Sequence, residues 1–192
     1  MLNYLKKRLS GKAPTADVAD AGRSPKILFD GAYRLHDSSD VARYTALAAE
    51  AFPDFAKRIT CFGADWLGNQ FATDEARIID EDRQILLLEI GTGEVLEIPA
   101  GLGTFHDGLL VQEPDAAVAL GFFRGWLSGG GAAPRYDQCV GYKVPLYLGG
   151  ADDVSNLELS DFEVYWGVSA QLLAKARVLP KGTAIGDVTI GD

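Results

Sequence analysis

The sequence predicts an α+β fold with a mostly antiparallel sheet flanked by helices. Residues 84–90 and 94–98 are two strand-like runs joined by Gly91-Thr92-Gly93, a pattern typical of a β-hairpin. Helical periodicity occurs in separate blocks, at residues 39–52 and again at 160–177. Because strands and helices do not alternate strictly, an antiparallel arrangement is favoured over a doubly wound parallel sheet.

The first half of the chain contains one amphipathic helix followed by strands. Apolar residues recur at three- and four-residue spacing from Ser39 to Phe52, and Pro53 comes next, where a helix would end. Residues 57–63 and 69–74 are predicted to be two strands around a tight connection. We expect the Ile85–Ile98 hairpin to lie at the centre of the sheet.

The second half is predicted to be more helical. One helix starts at Pro114 and ends at Gly129-Gly130-Gly131. The last helix is expected to run from Ser160 to Arg177, because the Ser160 hydroxyl and Glu163 have the spacing of a capping box. Its predicted buried face, packed against the hairpin, includes Trp166 and three aliphatic residues: Val164, Val168 and Leu172.

Composition indicates an ordinary globular protein. Of 192 residues, 47% are hydrophobic and 23% are charged, which argues against disorder. The apolar runs are too short to cross a bilayer, and the first residues do not resemble a secretory leader, so we expect a cytoplasmic protein with no membrane contact. Cys61 and Cys139 form no CxxC pair and are expected to be buried thiols.

The distribution of charge divides the chain in two. Residues 1–26 hold six of the 18 basic side chains and two of the 27 acidic ones, and with their Gly and Pro residues they are interpreted as a basic N-terminal arm. Residues 27–192 form the predicted single domain and carry 12 basic and 25 acidic side chains, a net charge of −13. Such a charge disfavours direct nucleic-acid binding and attracts a basic partner.

Motifs for catalysis or cofactor binding are not found. His36 and His106 have no metal-ligand spacing, and no GxSxG, P-loop or complete dinucleotide fingerprint occurs. The setting of His106, beside the apolar Phe105, favours a residue that closes a short helix or bonds to the backbone over a catalytic base. The sequence therefore predicts no cofactor, no metal and no catalytic residue.

Two blocks of aromatic, glycine and acidic residues stand out, residues 62–72 and 139–150, and the second continues to Tyr165-Trp166. With residues 92–99 and Phe105-His106 between them, these blocks resemble the C-terminal domain of the type VI secretion DNase-immunity family. That domain was long of unknown function and often follows a GAD-like domain. The resemblance covers about residues 55–175, and the run Gly-Tyr-Lys-Val-Pro-Leu-x-Leu-Gly-Gly is specific. Residues 1–54 are too few for a full GAD-like domain, so a shortened member is expected.

The resemblance implies a non-catalytic immunity protein that binds and neutralises a cognate toxin, a nuclease. Exposed carboxylates are the expected contacts with the toxin's basic groove: Asp80, Glu81, Asp82, Asp152 and Asp153. Two alternatives remain open. One is an adaptor domain of the same fold with a non-nuclease partner. The other is a small enzyme that uses Asp65, Asp161 or His106 in a cleft near Trp66 and Trp166.

Overall fold

A computed structural model describes residues 27–179, and the predicted basic arm at residues 1–26 lies outside this range. Every strand pair is antiparallel, in a six-stranded sheet of order β1-β2-β3-β4-β5-β6 and a two-stranded sheet β7-β8. The strands are β1 (Ile27–Leu28), β2 (Tyr33–Leu35), β3 (Ile59–Asp65), β4 (Gln70–Ile79), β5 (Asp82–Glu89), β6 (Glu94–Ile98), β7 (Gln138–Tyr142) and β8 (Leu157–Asp161). The predicted α+β class is confirmed.

Four helices flank the sheets, together with one irregular helical stretch. The helices are α1 (Val41–Ala51), α2 (Pro114–Val118), α3 (Leu120–Ser128) and α4 (Phe162–Arg177). The irregular stretch runs through Leu102–Thr104, a π-helical turn at Phe105–Leu109, and Leu110–Gln112. Short 3-10 turns lie at Phe29–Gly31, Pro53–Phe55, Leu146–Leu148 and Val154–Asn156. No helix in the described range is long and apolar enough to cross a membrane.

The large sheet carries helices on both faces. Side chains of β5 alternate between two buried clusters, as the two-residue period of a strand requires. Ile85 and Leu87 join a cluster with the irregular helical stretch, α2 and α3. Leu86 and Leu88 join the other cluster, with α1 and α4. The sheet is therefore the middle layer, and each helical layer covers one of its faces.

The β5–β6 hairpin forms as predicted, with Leu87 opposite Leu96 and Glu89 opposite Glu94. Its predicted central position is wrong, because β6 is an edge strand. The chain after Pro99 enters the irregular helical stretch, and the later strands β7 and β8 pair with each other, so no described strand pairs with the outer side of β6. A hairpin is encoded locally, whereas its place in a sheet depends on whether a distant segment pairs with its outer strand.

Two other elements differ in extent from their sequence predictions. Strand β4 continues past residue 74 to Ile79 through a register shift. This extension contains Glu75 and Arg77 and ends in the exposed Ile78 and Ile79, so it lacks the alternation of a half-buried strand. The helix predicted from Pro114 to residue 128 is broken at Ala119, which has a left-handed φ of 50°. The carboxylate of Asp115 accepts the N–H of Gly121 at 2.7 Å across this break.

The last helix begins two residues later than predicted. Ser160 pairs with Cys139 in the β7–β8 ladder, which holds it extended, so the capping residue is Asp161, whose carboxylate accepts the N–H of Val164 at 2.9 Å. The predicted capping box of Ser160 and Glu163 is wrong. Glu163 instead forms an ion pair with Arg43 of α1.

The buried face of α4 also differs from the prediction. Trp166 is fully buried, as expected, but Val164 is 60% exposed, and Val168 and Leu172 are only half-buried. The face that meets the sheet is instead built from large aromatic and small side chains: Phe162, Tyr165, Trp166, Ser169, Ala170 and Leu173. Aromatic rings remove more apolar area from water than Val does, so they determine which face turns inward.

Candidate functional site

A cleft of about 420 Å³ lies where the β5–β6 turn, the β3–β4 loop and the segment after β7 meet. Its lining combines apolar and aromatic walls with acidic groups, from Leu67, Asn69, Glu89, Gly91, Thr92, Glu94, Tyr142, Leu146, Tyr147 and Asp152. We call this the acidic cleft. Concave sites with apolar walls and a few placed polar groups are typical of binding sites.

The hairpin turn forms one side of the acidic cleft. The Thr92 hydroxyl donates to the buried Glu89 carboxylate at 3.0 Å and accepts the N–H of Glu94 at 3.1 Å. Gly93 closes the turn with a φ of +70°, and its N–H donates to the Glu89 carbonyl at 2.8 Å. This hydrogen bonding fixes the turn that carries Glu89 and Glu94.

The opposite side is the loop between β7 and β8, which Asn156 holds in shape. Its side-chain amide donates to the carbonyls of Val144 and Ala151, and its amide oxygen accepts the N–H of Val144 at 3.0 Å. A side chain at Gly150 would collide with the Val144 carbonyl, so the close approach there requires glycine. The loop is also tied to the hairpin turn, because the Leu146 N–H donates to the Gly91 carbonyl at 2.9 Å.

Tyr142 connects the two sides. Its ring lies so close to Gly91 that a Cβ there would come within 2.6 Å of it. Its hydroxyl donates to the Asp152 carboxylate at 2.7 Å. Burial, together with this bond to Asp152, raises the pKa of Tyr142 far above its usual value, so the phenol keeps its proton and the Asp152 carboxylate keeps its donor.

The electrostatic character of the acidic cleft is one-sided. Three carboxylates line it, from Glu89, Glu94 and Asp152, and no Lys or Arg does within residues 27–179. Glu89 is buried, whereas Glu94 and Asp152 are exposed. Across the same residues, no group of three metal-ligating side chains is found. The arrangement suits a cationic organic group better than a metal ion.

The structure separates the five predicted contact residues. Asp152 lines the acidic cleft, while Asp153 caps the turn at Val154–Asn156 by accepting the N–H of Ser155 at 2.8 Å. Asp80 and Glu81 form the exposed left-handed β4–β5 turn, and Asp82 begins β5. Because Glu89 ends β5, that turn lies about 23 Å from the acidic cleft along the strand.

Sequence reasoning missed Glu89, Glu94 and Tyr142 as site residues. The signal available for the two glutamates was their position on either side of the Gly91-Thr92-Gly93 turn, directly opposite one another in an antiparallel hairpin. Nothing local connected them with Tyr142, which lies 48 or more residues further along the chain.

The residues weighed for catalysis have structural roles. Asp65 is buried and accepts both the backbone N–H and the amide of Asn69, and burial raises its pKa to about 7. His106 bonds to the Leu102 carbonyl and to the Tyr33 hydroxyl, in agreement with its predicted backbone contact. Asp161 caps α4. Trp66 and Trp166 are fully buried.

One segment of the chain matches a known protein family. Residues 126–173, which contain β7, β8 and most of α4, match the family model described as T6SS immunity protein Tdi1, C-terminal. The family suspected from the sequence is therefore confirmed for this segment. The match covers 48 of the 192 residues, so it concerns this segment of the chain.

A solved structure shares the fold. The crystal structure of Atu4351 from Agrobacterium tumefaciens aligns with a TM-score of 0.52 and 17% sequence identity, over 77% of this chain and 70% of that one. A likeness at this identity concerns the fold alone. No curated protein matches the chain significantly.

Proposed function

We propose that this chain is a non-catalytic immunity protein that binds a cognate toxin of a type VI secretion system in the cytoplasm and neutralises it. The proposed toxin is a nuclease. The observation that carries the proposal is the family match at residues 126–173, because that segment supplies Tyr142, Leu146, Tyr147 and Asp152 to the acidic cleft.

Charge supports a basic partner. Residues 27–192 have a net charge of −13, and a nuclease must present a basic surface to gather phosphates. An acidic protein that covers this surface blocks access of the nucleic acid without any chemistry of its own. The immunity protein itself, with the same sign of charge as nucleic acid, is not expected to bind DNA or RNA.

The exposed carboxylates outside the acidic cleft have a second role in the proposal. Asp80, Glu81, Asp82 and Asp153 lie at the surface, where charges mainly accelerate encounter rather than prolong the complex. Asp152 belongs to both groups, because it is exposed and lines the acidic cleft. We therefore propose all five as partner-binding residues, with Asp152 in closest contact.

The test is binding and protection. The chain is expressed with the product of the adjacent gene, and the two proteins are purified together, while cell survival is followed with and without the chain. We expect a stable complex and rescue of cells that express the toxin. A nuclease assay on the purified toxin, with increasing amounts of the chain, then shows whether the inhibited activity is DNA cleavage.

Three outcomes separate the alternatives. Binding with inhibition of DNA cleavage supports the nuclease-immunity proposal. Binding to an adjacent-gene product that cleaves no nucleic acid favours the adaptor, or an immunity protein against another toxin. Absence of any complex with the adjacent-gene product contradicts the proposal. A control variant, Ser160→Ala, leaves the acidic cleft untouched and should bind as the parent does.

A further inference from the structure

We propose that the acidic cleft binds a single arginine side chain of the toxin. This inference rests on the proposed function and adds the chemistry of the contact. It concerns one site at the carboxyl end of β5, lined by Glu89, Glu94 and Asp152, rather than the acidic surface as a whole. The surface charge explains attraction of any basic protein, whereas a defined cleft selects one side chain.

The walls fit the stem and the plane of an arginine. Leu67 and Leu146 offer apolar surface, and Tyr142 and Tyr147 offer aromatic rings. A long cationic side chain packs its methylene stem along apolar walls, and a guanidinium stacks on aromatic faces. The Tyr147 hydroxyl is directed away to the Ser169 carbonyl of α4, at 3.0 Å, which fixes its ring as part of the wall.

The acidic groups fit the head of the same side chain. A guanidinium presents five N–H donors in a rigid fork, which suits two or more carboxylates, while a lysine ammonium is a compact point charge. The Asp152 carboxylate is oriented by the Tyr142 hydroxyl, and the Glu89 carboxylate by Thr92. Glu94, on the exposed side of the turn, completes the set.

The cleft is held in shape by the protein's own hydrogen bonds. The Leu146–Gly91 backbone bond joins its two sides, and Asn156 braces the loop that carries Asp152. A site that is already ordered loses little conformational entropy when a ligand enters it, so more of the contact energy appears as affinity. An arginine of the toxin that is bound here no longer contacts a phosphate of the nucleic acid. A contact with one side chain would therefore be enough to inhibit a nuclease.

The test compares two variants that each remove two charges. Glu94→Gln with Asp152→Asn removes two of the three carboxylates of the acidic cleft and keeps an oxygen that accepts the Tyr142 hydroxyl. Glu50→Gln with Asp54→Asn removes the same charge at two exposed positions outside the acidic cleft. Affinity for the adjacent-gene toxin is measured by titration calorimetry. The affinity of the cleft variant is expected to fall at least about 30-fold, which is the loss for truncating one member of a desolvated charge pair. The affinity of the control variant is expected to fall less than about 3-fold.

The toxin side supplies the second half of the test. Each arginine of the toxin is replaced by lysine, and one replacement is expected to cost affinity for the parent chain but not for the cleft variant. Equal losses in the cleft and control variants, or no toxin arginine with this coupling, would overturn the inference while leaving the immunity function intact. Unchanged melting temperatures of both variants show that the fold is preserved.

Failure of the proposed function is recognised separately, as absence of binding by the parent chain. In that case N-acetyl-arginine amide is the probe, with the uncharged citrulline analogue as its matched control, and the amide signals of Gly91 and Gly93 are followed by NMR. Signal shifts that N-acetyl-arginine amide causes in the parent chain but not in the cleft variant support the site. Identical responses to both probes, or none, overturn it. The amide signals of Gly91 and Gly93 are also compared after Lys6, Lys7 and Arg8 are neutralised. A shift of these signals would mean that the cleft binds this chain's own basic residues, and it would overturn the inference.

Discussion

The indole N–H of Trp166 donates to the backbone carbonyl of Gly68 at 2.7 Å, across 98 residues of sequence. Both groups are buried, and Gly68 has a φ of +82°, with Cys139 and Tyr165 packed against the side where a Cβ would be. The bond anchors α4 to the β3–β4 loop, whose neighbouring residues Leu67 and Asn69 line the acidic cleft. The stability of α4 and the shape of the cleft are therefore coupled.

Trp166→Phe should destabilise the protein by about 1–3 kcal/mol, because it leaves the buried Gly68 carbonyl without its donor. Trp166→Ala should cost about 3–5 kcal/mol, since it also opens a cavity. Trp126→Phe is the matched control, because the Trp126 indole bonds to the Ala132 carbonyl near the surface. Guanidinium unfolding followed by circular dichroism measures the three values. A Trp126 variant as unstable as Trp166→Phe would contradict the role of burial.

The start of α4 gives a second prediction. Asp161→Ala removes the side chain that caps the helix and should cost about 0.5–2 kcal/mol. Ser160→Ala, one residue earlier in the β7–β8 ladder, should change stability by no more than about 0.5 kcal/mol. Urea unfolding of the two variants distinguishes them. The opposite ranking would restore Ser160 as the capping residue.

Glycine at the hairpin turn gives a third prediction. Gly93→Ala is expected to be strongly destabilising, because φ there is +70° and the new Cβ would clash with Leu173. Gly130→Ala is the control, since φ is +90° but the space around it is open, so only backbone strain of about 1–2 kcal/mol applies. Thermal melts should place Gly93→Ala clearly below Gly130→Ala. Equal melting temperatures would mean that Leu173 moves aside without cost.

Two buried titratable groups predict the pH dependence of stability. Burial raises the pKa of Asp65 to about 7, so its contribution is fully present below about pH 4 and is lost as the pH rises to about 7. Burial and the nearby Arg34 lower the pKa of His36 to about 3, so its contribution is present above about pH 6.5 and is lost as the pH falls towards 3. Between about pH 4 and 6.5, rising pH therefore lowers the free energy of unfolding through Asp65 and raises it through His36.

Asp65→Asn should therefore keep the pH dependence that His36 causes and lose the one that Asp65 causes. The free energy of unfolding of this variant, relative to that of the parent, should rise with pH between about pH 4 and 6.5. His36→Gln should show the reverse trend. Urea unfolding at four pH values between 4.5 and 7.5 measures both. Curves that run parallel to that of the parent would show that neither group changes its protonation on folding.

Elements with strong local signals were predictable from the sequence. The α1 helix, the β5–β6 hairpin and the buried Trp166 follow from spacing and turn residues that lie within one segment. The break at Ala119 gave no such signal, because alanine favours helix and rarely adopts a left-handed φ. The family resemblance was predictable for residues 126–173, where a specific run of residues carries it.

The candidate site could be predicted only in part. Asp152 was singled out because it is acidic and follows a glycine pair, but its neighbours in the cleft come from β5, the hairpin turn and β7. The capping role of Asp161 was missed because the β7–β8 pairing that excludes Ser160 is a contact between distant residues. Long-range pairing decides such positions, and a single sequence does not display it.

The middle position of the sheet limits which parts of this chain can be exchanged with a relative. Residues 126–173 are not an autonomous building block, because Val140 bonds to Trp66, Gln138 to Arg34, and Trp166 to Gly68. A fragment transplanted without residues 27–125 would expose its aromatic face to water and lose one wall of the cleft. A recombinant with an altered cleft must therefore inherit the sheet together with the matched segment, or change single residues around the cleft while the framework stays constant.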